Sequence, residues 1–355
     1  MKVLITVPYK NDGGIYIFCE TIIPALRALG NDIDVCKRGI KKNRKNKIII
    51  IIEQFIDYLV FIKKLLTNKY DLIFINTSLS KYNCTRDGLF IIISKLFNKK
   101  ILLFIHGFQE KCLQNKILLK GYFFSDAIIV LANEFKIKLE YAGYKKNIEV
   151  LFNPVNQEIL DYSSLDSLEE RKNREPKNIL FLSRIEEEKG IMIAIKAFNV
   201  LIPKYPNIQL FIAGNGTMLE FAKNYVINNK IKNVHFLGFI NGKNKIELLK
   251  KSDIFLFPTY YYEGLPISIL EAITFGLPVI TRPVGGIKDF FKNEEMGYLI
   301  ESKSPQDFAN AIELLIKSKN LYNINDNNFK FAKQNFQPAQ IAKKLNKFMK
   351  EIING

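Results

Sequence analysis

Two glutamates, Glu263 and Glu271, lie eight positions apart in the stretch of sequence with the clearest chemical potential. Glu263 is predicted in a loop just before a helix, and Pro266 fits the first position of that helix, where a missing N–H costs nothing. Glu271 falls about one and a half turns inside the helix. The free N–H groups of Gly264 and Leu265, with the helix dipole behind them, predict an anion site, and a carboxylate there suits hydroxyl groups beside the anion.

The spacing of the two glutamates by itself also fits a charge that stabilises the helix dipole and a solvated surface residue. Here it belongs to the segment EGLPISILEAITFGLPVI at residues 263–280, followed by VGG. This segment resembles the signature of the retaining glycosyltransferases of family 4. The resemblance covers nearly the whole chain, most strongly residues 178–300. It implies an α/β fold of the GT-B type, with two Rossmann-like doubly wound domains facing each other across a cleft, and an enzyme that moves a sugar from a nucleotide diphosphate to an acceptor.

Two cations follow the predicted strand 178–182: Arg184, and Lys189 in a Lys-Gly pair. Family members show an arginine and a Lys-Gly at this place. The resemblance implies that the two cations stabilise the departing diphosphate, because arginine can hold phosphate oxygens bidentately and lysine adds a point charge. Two ordinary surface cations are the alternative.

His106 follows the predicted strand 100–105 and precedes Gly107. Open α/β sheets bind ligands in the crevice at the carboxyl ends of their strands, so a histidine there can face a ligand. A hydrogen-bonded structural histidine is the alternative. The resemblance implies that the imidazole contacts the donor sugar, and Asn153-Pro154-Val155 matches the family's usual Asn-x-Val.

Several glycines follow predicted strands, where they let backbone approach a ligand near a helix N-terminus. The first pair, Gly13-Gly14, is not part of a GxGxxG motif, so a dehydrogenase-type dinucleotide site is not supported. The resemblance implies that residues 238–240 face the nucleotide base and that Glu271 binds the ribose hydroxyls. The expected catalytic residues are Glu263, Arg184, Lys189 and His106. The expected nucleotide-sugar-binding residues are Gly14, Gly214, Gly216, Gly238, Phe239, Ile240, Gly264, Leu265 and Glu271.

The 355 residues, of which 48% are hydrophobic, suffice for two domains with separate cores. Residues 1–160 are predicted to form an acceptor-side Rossmann-like domain. The polar, apolar-poor segment 161–177 is interpreted as a linker. Residues 178–335 are predicted to form the nucleotide-sugar-binding domain. Residues 336–355 are predicted to form a terminal amphipathic helix that packs back on the first domain.

The formal charge is +17, and residues 1–160 hold 25 Lys and Arg against 14 Asp and Glu. Such a surface attracts anionic partners. Residues 37–47 contain seven basic residues, which fit a solvated loop or a contact with an anionic membrane or phosphate. Nucleic acid is not expected, because no aromatic residues interleave the charges.

Residues 48–66 form a long apolar run that Glu53, Gln54 and Asp57 interrupt, which argues against a membrane span. One helical face carries several apolar residues, so the run predicts a core or amphipathic helix, with a monotopic membrane role as the alternative. These residues are Ile51, Phe55, Tyr58, Leu59 and Ile62.

The chain has two histidines and four scattered cysteines without a CxxC pair, so no zinc site and no disulfide are expected. The N-terminus shows no signal-peptide pattern. The single DxD sequence, Asp32-Ile33-Asp34, falls in a predicted strand. We therefore expect no cofactor, a metal-independent reaction with the nucleotide sugar as co-substrate, and a cytoplasmic location with a peripheral place on the inner membrane face.

The expected function is the transfer of a sugar from a UDP- or GDP-linked donor to a glycan or lipid-linked acceptor. Basic charge and family habit favour surface polysaccharide synthesis, such as capsule, O-antigen or lipopolysaccharide. Two alternatives stay open at this stage. A sugar-nucleotide epimerase of GT-B architecture would need acid–base residues at the reacting carbon, for which only His106 is a candidate. A non-catalytic nucleotide-sugar-binding protein would not need the charged residues above.

Overall fold

The apolar runs of the sequence form two six-stranded parallel sheets, one in each of two units. The computed structural model describes residues 1–9, 13–41, 46–172 and 175–355. The first unit comprises Met1–Asn156, Tyr262–Leu265 and Pro338–Gly355, and the second comprises Gln157–Tyr261 and Pro266–Gln337.

In the first unit the strand order is β2-β1-β3-β4-β5-β6. The first strand thus lies inside the sheet and not at its edge, as in other doubly wound sheets. The strands are β1 (Lys2–Pro8), β2 (Asp32–Arg38), β3 (Leu72–Leu79), β4 (Lys100–Phe108), β5 (Ala127–Val130) and β6 (Asn147–Val150). The helices are α1 (Gly14–Ala28), α2 (Lys47–Thr67), α3 (Lys81–Leu96), α4 (Lys116–Phe123), α5 (Asn133–Tyr141) and α14 (Pro338–Asn354).

Side chains that alternate along the strands divide these helices into two layers. Helices α2 to α5 pack on the sheet face that carries Leu103 and Ile105. Helix α1 lies on the opposite face, where the Phe18 ring meets the Phe104 ring edge-on at 4.9 Å between centroids. Helix α14 packs against α1 within this unit.

Helix α2 contradicts the prediction of its buried face. Of the residues that the periodicity predicts to pack inward, Ile51, Phe55 and Leu59 are 67%, 61% and 50% exposed. The inward face instead carries Glu53, Asp57, Phe61 and Leu65. A helix that is apolar almost all round contains no local signal for the face that turns inward, and polar contacts of Asp57 decide it here (see below).

In the second unit the strand order is β12-β11-β10-β7-β8-β9. The strands are β7 (Asn178–Leu182), β8 (Gln209–Ala213), β9 (Val234–Gly238), β10 (Ile254–Phe257), β11 (Val279–Thr281) and β12 (Gly297–Leu299). The helices are α6 (Gln157–Tyr162), α7 (Leu165–Lys172), α8 (Ile191–Leu201), α9 (Leu219–Asn228), α10 (Gly242–Lys251), α11 (Ile267–Thr274), α12 (Pro305–Lys317) and α13 (Leu321–Asn335).

Part of the predicted linker, residues 161–177, is a helix of the second unit. Helix α7 buries Leu168 completely and Arg171 almost completely. The Arg171 guanidinium donates to the carbonyl oxygens of Leu249 and Ser252, at 3.0 Å each, near the end of α10. It also donates to the carbonyl of Phe275 at the end of α11, at 2.5 Å. The segment was interpreted as a linker because it is polar. In the structure, Arg171 donates to carbonyl oxygens at helix ends that have no partner within their own helix, and these hydrogen bonds fix α7 in the second unit.

Two further predictions differ locally from the structure. Pro266 is the N-cap of α11, not its first helical residue. In the basic segment 37–47, Arg38 is a buried residue whose guanidinium lies 3.2 Å from the Asp87 carboxylate, so it is not part of a solvated loop. Residues 42–45 of that segment lie outside the described residues.

Candidate active site

A cavity of about 530 Å³ opens in the second unit at the carboxyl end of β7. Loops at this edge of a parallel sheet are where open α/β domains bind ligands. The lining residues come from the loops after β7, β8 and β10. They are Arg184, Glu186, Glu187, Glu188, Lys189, Thr217, Met218 and Tyr261.

Glycines allow the loops around this cavity to approach each other. A Cβ on Gly214 would lie 1.8 Å from the Ser183 carbonyl oxygen, and a Cβ on Gly216 would lie 2.3 Å from the Ile185 carbonyl oxygen. Gly214 also has a φ of +143°. The space that these two glycines leave open is therefore filled by the loop after β7. They bring Thr217 and Met218 to the same cavity wall as Arg184.

The two predicted cations share this cavity but are held differently. Lys189 is 6% exposed, and its ammonium lies 4.5 Å from the centre of the Tyr261 ring, a cation–π distance. The exposed Arg184 guanidinium makes no hydrogen bond or ion pair with any residue that the structure describes. One cation is thus fixed in place and the other is available to a ligand.

Three carboxylates also line the cavity, so its wall is not uniformly positive. Glu186 accepts a hydrogen bond from the backbone N–H of Thr217 at 3.3 Å. The carbonyl oxygen of Glu188 accepts from the N–H groups of Tyr260 and Tyr261, at 2.9 and 3.1 Å, which fastens the Lys189 turn to the loop after β10. Through this turn, Lys189 is positioned by the same loop that leads to Glu263.

Glu271 lies on α11 and is 3% exposed. Its carboxylate oxygen Oε1 accepts a hydrogen bond from the ammonium of Lys245 on α10 at 2.5 Å. A buried carboxylate needs a partner of opposite charge or several hydrogen-bond donors. Lys245 provides that partner, and the sequence analysis did not identify it, because the two helices are joined only in the folded unit.

The loop that carries Glu263 belongs to the first unit. A Cβ on Gly264 would lie 2.3 Å from the His106 carbonyl oxygen, so only glycine fits against β4 there. The Asn153 side-chain amide donates to the carbonyl oxygen of Leu265 at 2.9 Å. Two of the predicted residues, Gly264 and His106, are thus brought together, and Asn153 holds the loop in place.

The surroundings of His106 determine its tautomer. Asn76 Nδ2 donates to the carbonyl oxygen of Thr6 at 3.0 Å, so Asn76 Oδ1 faces the imidazole as an acceptor, 2.9 Å from Nε2. Nε2 must then carry the hydrogen, and Nδ1 has a free lone pair. Nδ1 is buried and has no hydrogen-bond partner among the described residues. No sequence pattern predicts the role of Asn76, because its hydrogen bonds to Thr6 and His106 join three strands that become neighbours only in the folded sheet.

Burial, and secondarily the positive charge of Arg38, lower the pKa of His106 to about 3. The imidazole ring also stacks on Phe104 at 3.9 Å between centroids. The ring is therefore neutral near pH 7, and its free Nδ1 can accept a hydrogen bond from a ligand hydroxyl but cannot donate a proton.

The remaining predicted binding residues lie at open positions. Gly14 begins α1, and an added Cβ would meet no atom within 4 Å. Gly238 ends the edge strand β9 with a φ of +66°. Phe239 is 64% exposed and Ile240 is partly buried. No three His, Cys, Asp or Glu residues in the described ranges converge as metal ligands would.

Known proteins are similar to this chain in sequence and in fold. Residues 165–331 match the family described as "Glycosyl transferases group 1". An uncharacterized glycosyltransferase of Methanocaldococcus jannaschii is 27% identical over 282 residues, which cover 75% of this chain and 72% of that protein. Several other curated relatives are matched over only about half of their own length.

One Campylobacter jejuni relative has a specific name, "GalNAc-alpha-(1->4)-GalNAc-alpha-(1->3)-diNAcBac-PP-undecaprenol alpha-1,4-N-acetyl-D-galactosaminyltransferase". It is 27% identical over 237 residues, which cover 66% of this chain and 63% of that enzyme. Among solved structures, Anabaena HepE in complex with UDP-glucose superimposes with a TM-score of 0.74 and 18% identity, over 99% of this chain and 100% of that chain. This likeness confirms the predicted fold.

Proposed function

We propose that this chain, which has the GT-B fold, is a glycosyltransferase that moves a sugar from a nucleoside-diphosphate donor to an acceptor hydroxyl and retains the anomeric configuration. The observation that carries the proposal is the pairing of a fixed cation, Lys189, with an unpaired one, Arg184, on one cavity wall. A diphosphate can accept bidentate hydrogen bonds from the exposed guanidinium and a charge-assisted hydrogen bond from the ammonium. HepE, whose complex contains UDP-glucose, supports a UDP-linked donor, and a GDP-linked donor has the same diphosphate.

In the proposed reaction, the bond between the anomeric carbon and the phosphate oxygen breaks. The electron pair stays on the diphosphate, where Arg184 and Lys189 stabilise it. The acceptor oxygen bonds to the same face of the anomeric carbon, and its proton passes to the departing phosphate oxygen. This route requires neither a separate protein base nor a metal ion.

The other predicted residues take recognition roles in this proposal. Glu271, held by Lys245, accepts hydrogen bonds from the ribose hydroxyls. Glu263 and the N–H groups of Gly264 and Leu265 contact the sugar hydroxyls and the phosphate. The free Nδ1 of His106 accepts from a sugar hydroxyl. Gly14 contacts the donor, Gly214 and Gly216 shape the cavity wall that carries Thr217 and Met218, and residues 238–240 face the base.

We further propose a glycan or lipid-linked acceptor at the cytoplasmic face of the membrane, in surface polysaccharide assembly. The strongly basic first 160 residues favour an acceptor that carries phosphate or lies on an anionic surface. The Campylobacter jejuni relative, whose name gives a substrate attached to PP-undecaprenol, supports this choice. None of the helices in the described ranges has both the length and the apolar character that crossing a bilayer requires.

A thermal-shift panel of UDP, GDP and ADP tests the donor class. A ligand that binds only the folded state raises the melting temperature, by more the further its concentration exceeds Kd. We expect a clear increase with UDP or GDP in wild type and a much smaller one in Arg184→Ala. Equal responses of the two proteins would contradict the proposal. Incubation with the matching donor alone should yield no epimerised nucleotide sugar.

A further inference from the structure

Helix α2 exposes large apolar side chains along one face over most of its length. Ile48, Ile52, Phe55 and Leu59 are 69%, 53%, 61% and 50% exposed, and they fall within one helical stripe. Monomeric proteins rarely expose contiguous apolar surface of this extent without a partner.

The contacts of the inner face hold this orientation in place. Asp57 is 2% exposed and accepts hydrogen bonds from the Gly39 backbone N–H at 2.9 Å and from the Tyr9 hydroxyl at 3.1 Å. Glu53 lies on the same face, 3.6 Å from the Lys41 ammonium. Rotating α2 to bury its isoleucines would take Phe61 and Leu65 out of the core, and the donors that Asp57 now satisfies would lose their acceptor. The apolar face therefore remains outward in the folded unit.

Neighbouring helices of the same layer extend the apolar face. The Tyr82 hydroxyl of α3 donates to Gln54 of α2 at 3.3 Å, so the two helices are side by side. On α3, the apolar side chains of Leu89 and Leu96 are 43% and 78% exposed. Ile117 on α4 is 85% exposed.

The charges around this surface identify its partner. Residues 37–124 contain 18 Lys and Arg, of which Arg38 and Arg86 are buried, against five Asp and Glu, of which Glu53, Asp57 and Asp87 are buried. Exposed lysines, including Lys47, Lys63 and Lys116, accompany the apolar side chains. A second copy of this chain would bring the same positive charge to the interface, which opposes association. An anionic lipid surface complements both the charge and the apolar stripe.

We propose that the outer face of α2, extended by α3 and α4, docks this protein on anionic lipid bilayers. The helix lies in the interface plane with Ile52, Phe55 and Leu59 among the acyl chains and the lysines at the headgroups. The role of this docking in reaching a lipid-borne acceptor rests on the proposed function, whereas the docking itself needs neither donor nor acceptor.

The chain contains no tryptophan, so one introduced tryptophan is a unique reporter. The test uses full-length Phe55→Trp with vesicles of phosphatidylcholine and phosphatidylglycerol, and with vesicles of phosphatidylcholine alone. We expect a blue shift of the emission and quenching by brominated lipid only with the anionic vesicles at low salt, and loss of both at high salt. The matched control is Phe221→Trp in the second unit, where the phenylalanine is 57% exposed, and its emission should not change.

The variant Ile52→Ser/Phe55→Ser/Leu59→Ser should lower the vesicle-bound fraction about tenfold or more, since three apolar side chains lose burial. All three are exposed, so we expect an unchanged melting temperature. Unchanged emission of Phe55→Trp, or wild-type-like binding of the serine variant, would overturn the proposal. A wild-type dimer that the serine substitutions dissociate would assign the face to a second copy instead. Vesicle binding without any sugar transfer would refute the proposed function alone.

Discussion

At the scale of single residues, the fold treats the two candidate phosphate ligands differently. Lys189 is buried against the Tyr261 ring and fastened through its turn, so its charge is fixed before a ligand arrives. Arg184 is exposed and has no charged partner in the described part of the chain. A preorganised cation needs little reorganisation in the transition state, which supports the proposed leaving-group role of Lys189. For Arg184 the support is that its guanidinium is accessible from the same cavity.

Replacing Arg184 by alanine tests this assignment. We expect transfer rates to fall about 10²-fold or more, because donor groups aimed at a developing charge contribute at that level. The matched control, Lys223→Ala, removes a surface cation of the same unit that pairs only with Glu220 in the structure, and it should retain wild-type rates. A rate for Arg184→Ala within about threefold of wild type would be incompatible with the assignment.

The hydrogen bond from His106 to Asn76 supports a second prediction. Replacing Asn76 by Asp places a negative charge 2.9 Å from Nε2, which favours the protonated ring and raises the pKa of His106. Imidazole nitrogen shifts in NMR spectra should then titrate at higher pH than in wild type, and the KM for the donor should rise. The imidazole signals of His106 are simple to assign, because His235 is the only other histidine in the sequence.

In wild type we expect Nε2 protonated and Nδ1 unprotonated throughout the neutral range. Asn76→Ser serves as a control that removes the acceptor without adding charge. A wild-type spectrum with the hydrogen on Nδ1 would show that the tautomer assignment is wrong.

At the scale of elements, close approach between loops defines the cavity of the second unit. The loops after β7 and β8 contact each other through backbone at Gly214 and Gly216, and the turn before α8 contacts the Pro258 carbonyl, 2.2 Å from where a Cβ of Gly190 would lie. Side chains at these positions would separate the loops. The cavity therefore depends on positions that contribute no functional group.

Comparing two glycine substitutions separates this role from ligand contact. Gly214→Ala should destabilise the second unit by about 2 kcal/mol or more, because of its positive φ and the overlap with Ser183. Gly14→Ala should leave stability nearly unchanged, since its Cβ meets open space, while the KM for the donor rises if Gly14 faces the donor. Urea unfolding and steady-state kinetics measure the two effects. Equal free energies of unfolding for both variants would contradict the packing argument.

At the scale of the whole molecule, the positive charge is concentrated in the first unit, where part of it is neutralised internally. Arg38 and Arg86 both contact Asp87, which is completely buried, and these positive charges hold the pKa of that carboxyl below its usual value despite its burial. The exposed lysines remain available to an outside anion.

The low pKa of His106 predicts a pH dependence of stability. The folded state keeps the ring neutral down to about pH 3, whereas the unfolded chain takes up a proton below about 6.5, so the unfolded state binds more protons in between. The stability contribution is complete above about pH 6.5 and is lost as pH falls toward 3. From about pH 7 to about pH 5, wild type should lose about 2 kcal/mol more than His106→Gln.

Urea unfolding of both proteins at the two pH values measures this difference. If the difference in free energy of unfolding between wild type and His106→Gln did not change with pH, the His106 ring would be open to protonation in the folded state.

Much of the fold follows from local pattern. The strand predicted at residues 178–182 is observed with the same bounds as β7, because a short apolar run between polar segments permits little else. The family signature likewise identified the residues after β7 and β10 that carry charge. Their roles in transfer stay predictions.

What the sequence by itself determined is therefore the identity and order of the elements and the residues with chemical potential, since both depend on neighbours along the chain. Only the tertiary structure decided which partners these residues meet: Lys245 for Glu271, Asn76 for His106, and Gly39 for Asp57. The physical reason is that hydrogen bonds and ion pairs between distant segments leave no periodicity in the sequence. The outward face of α2 shows this most clearly, because its buried face combines Phe61 and Leu65 with two carboxylates whose partners lie on other segments.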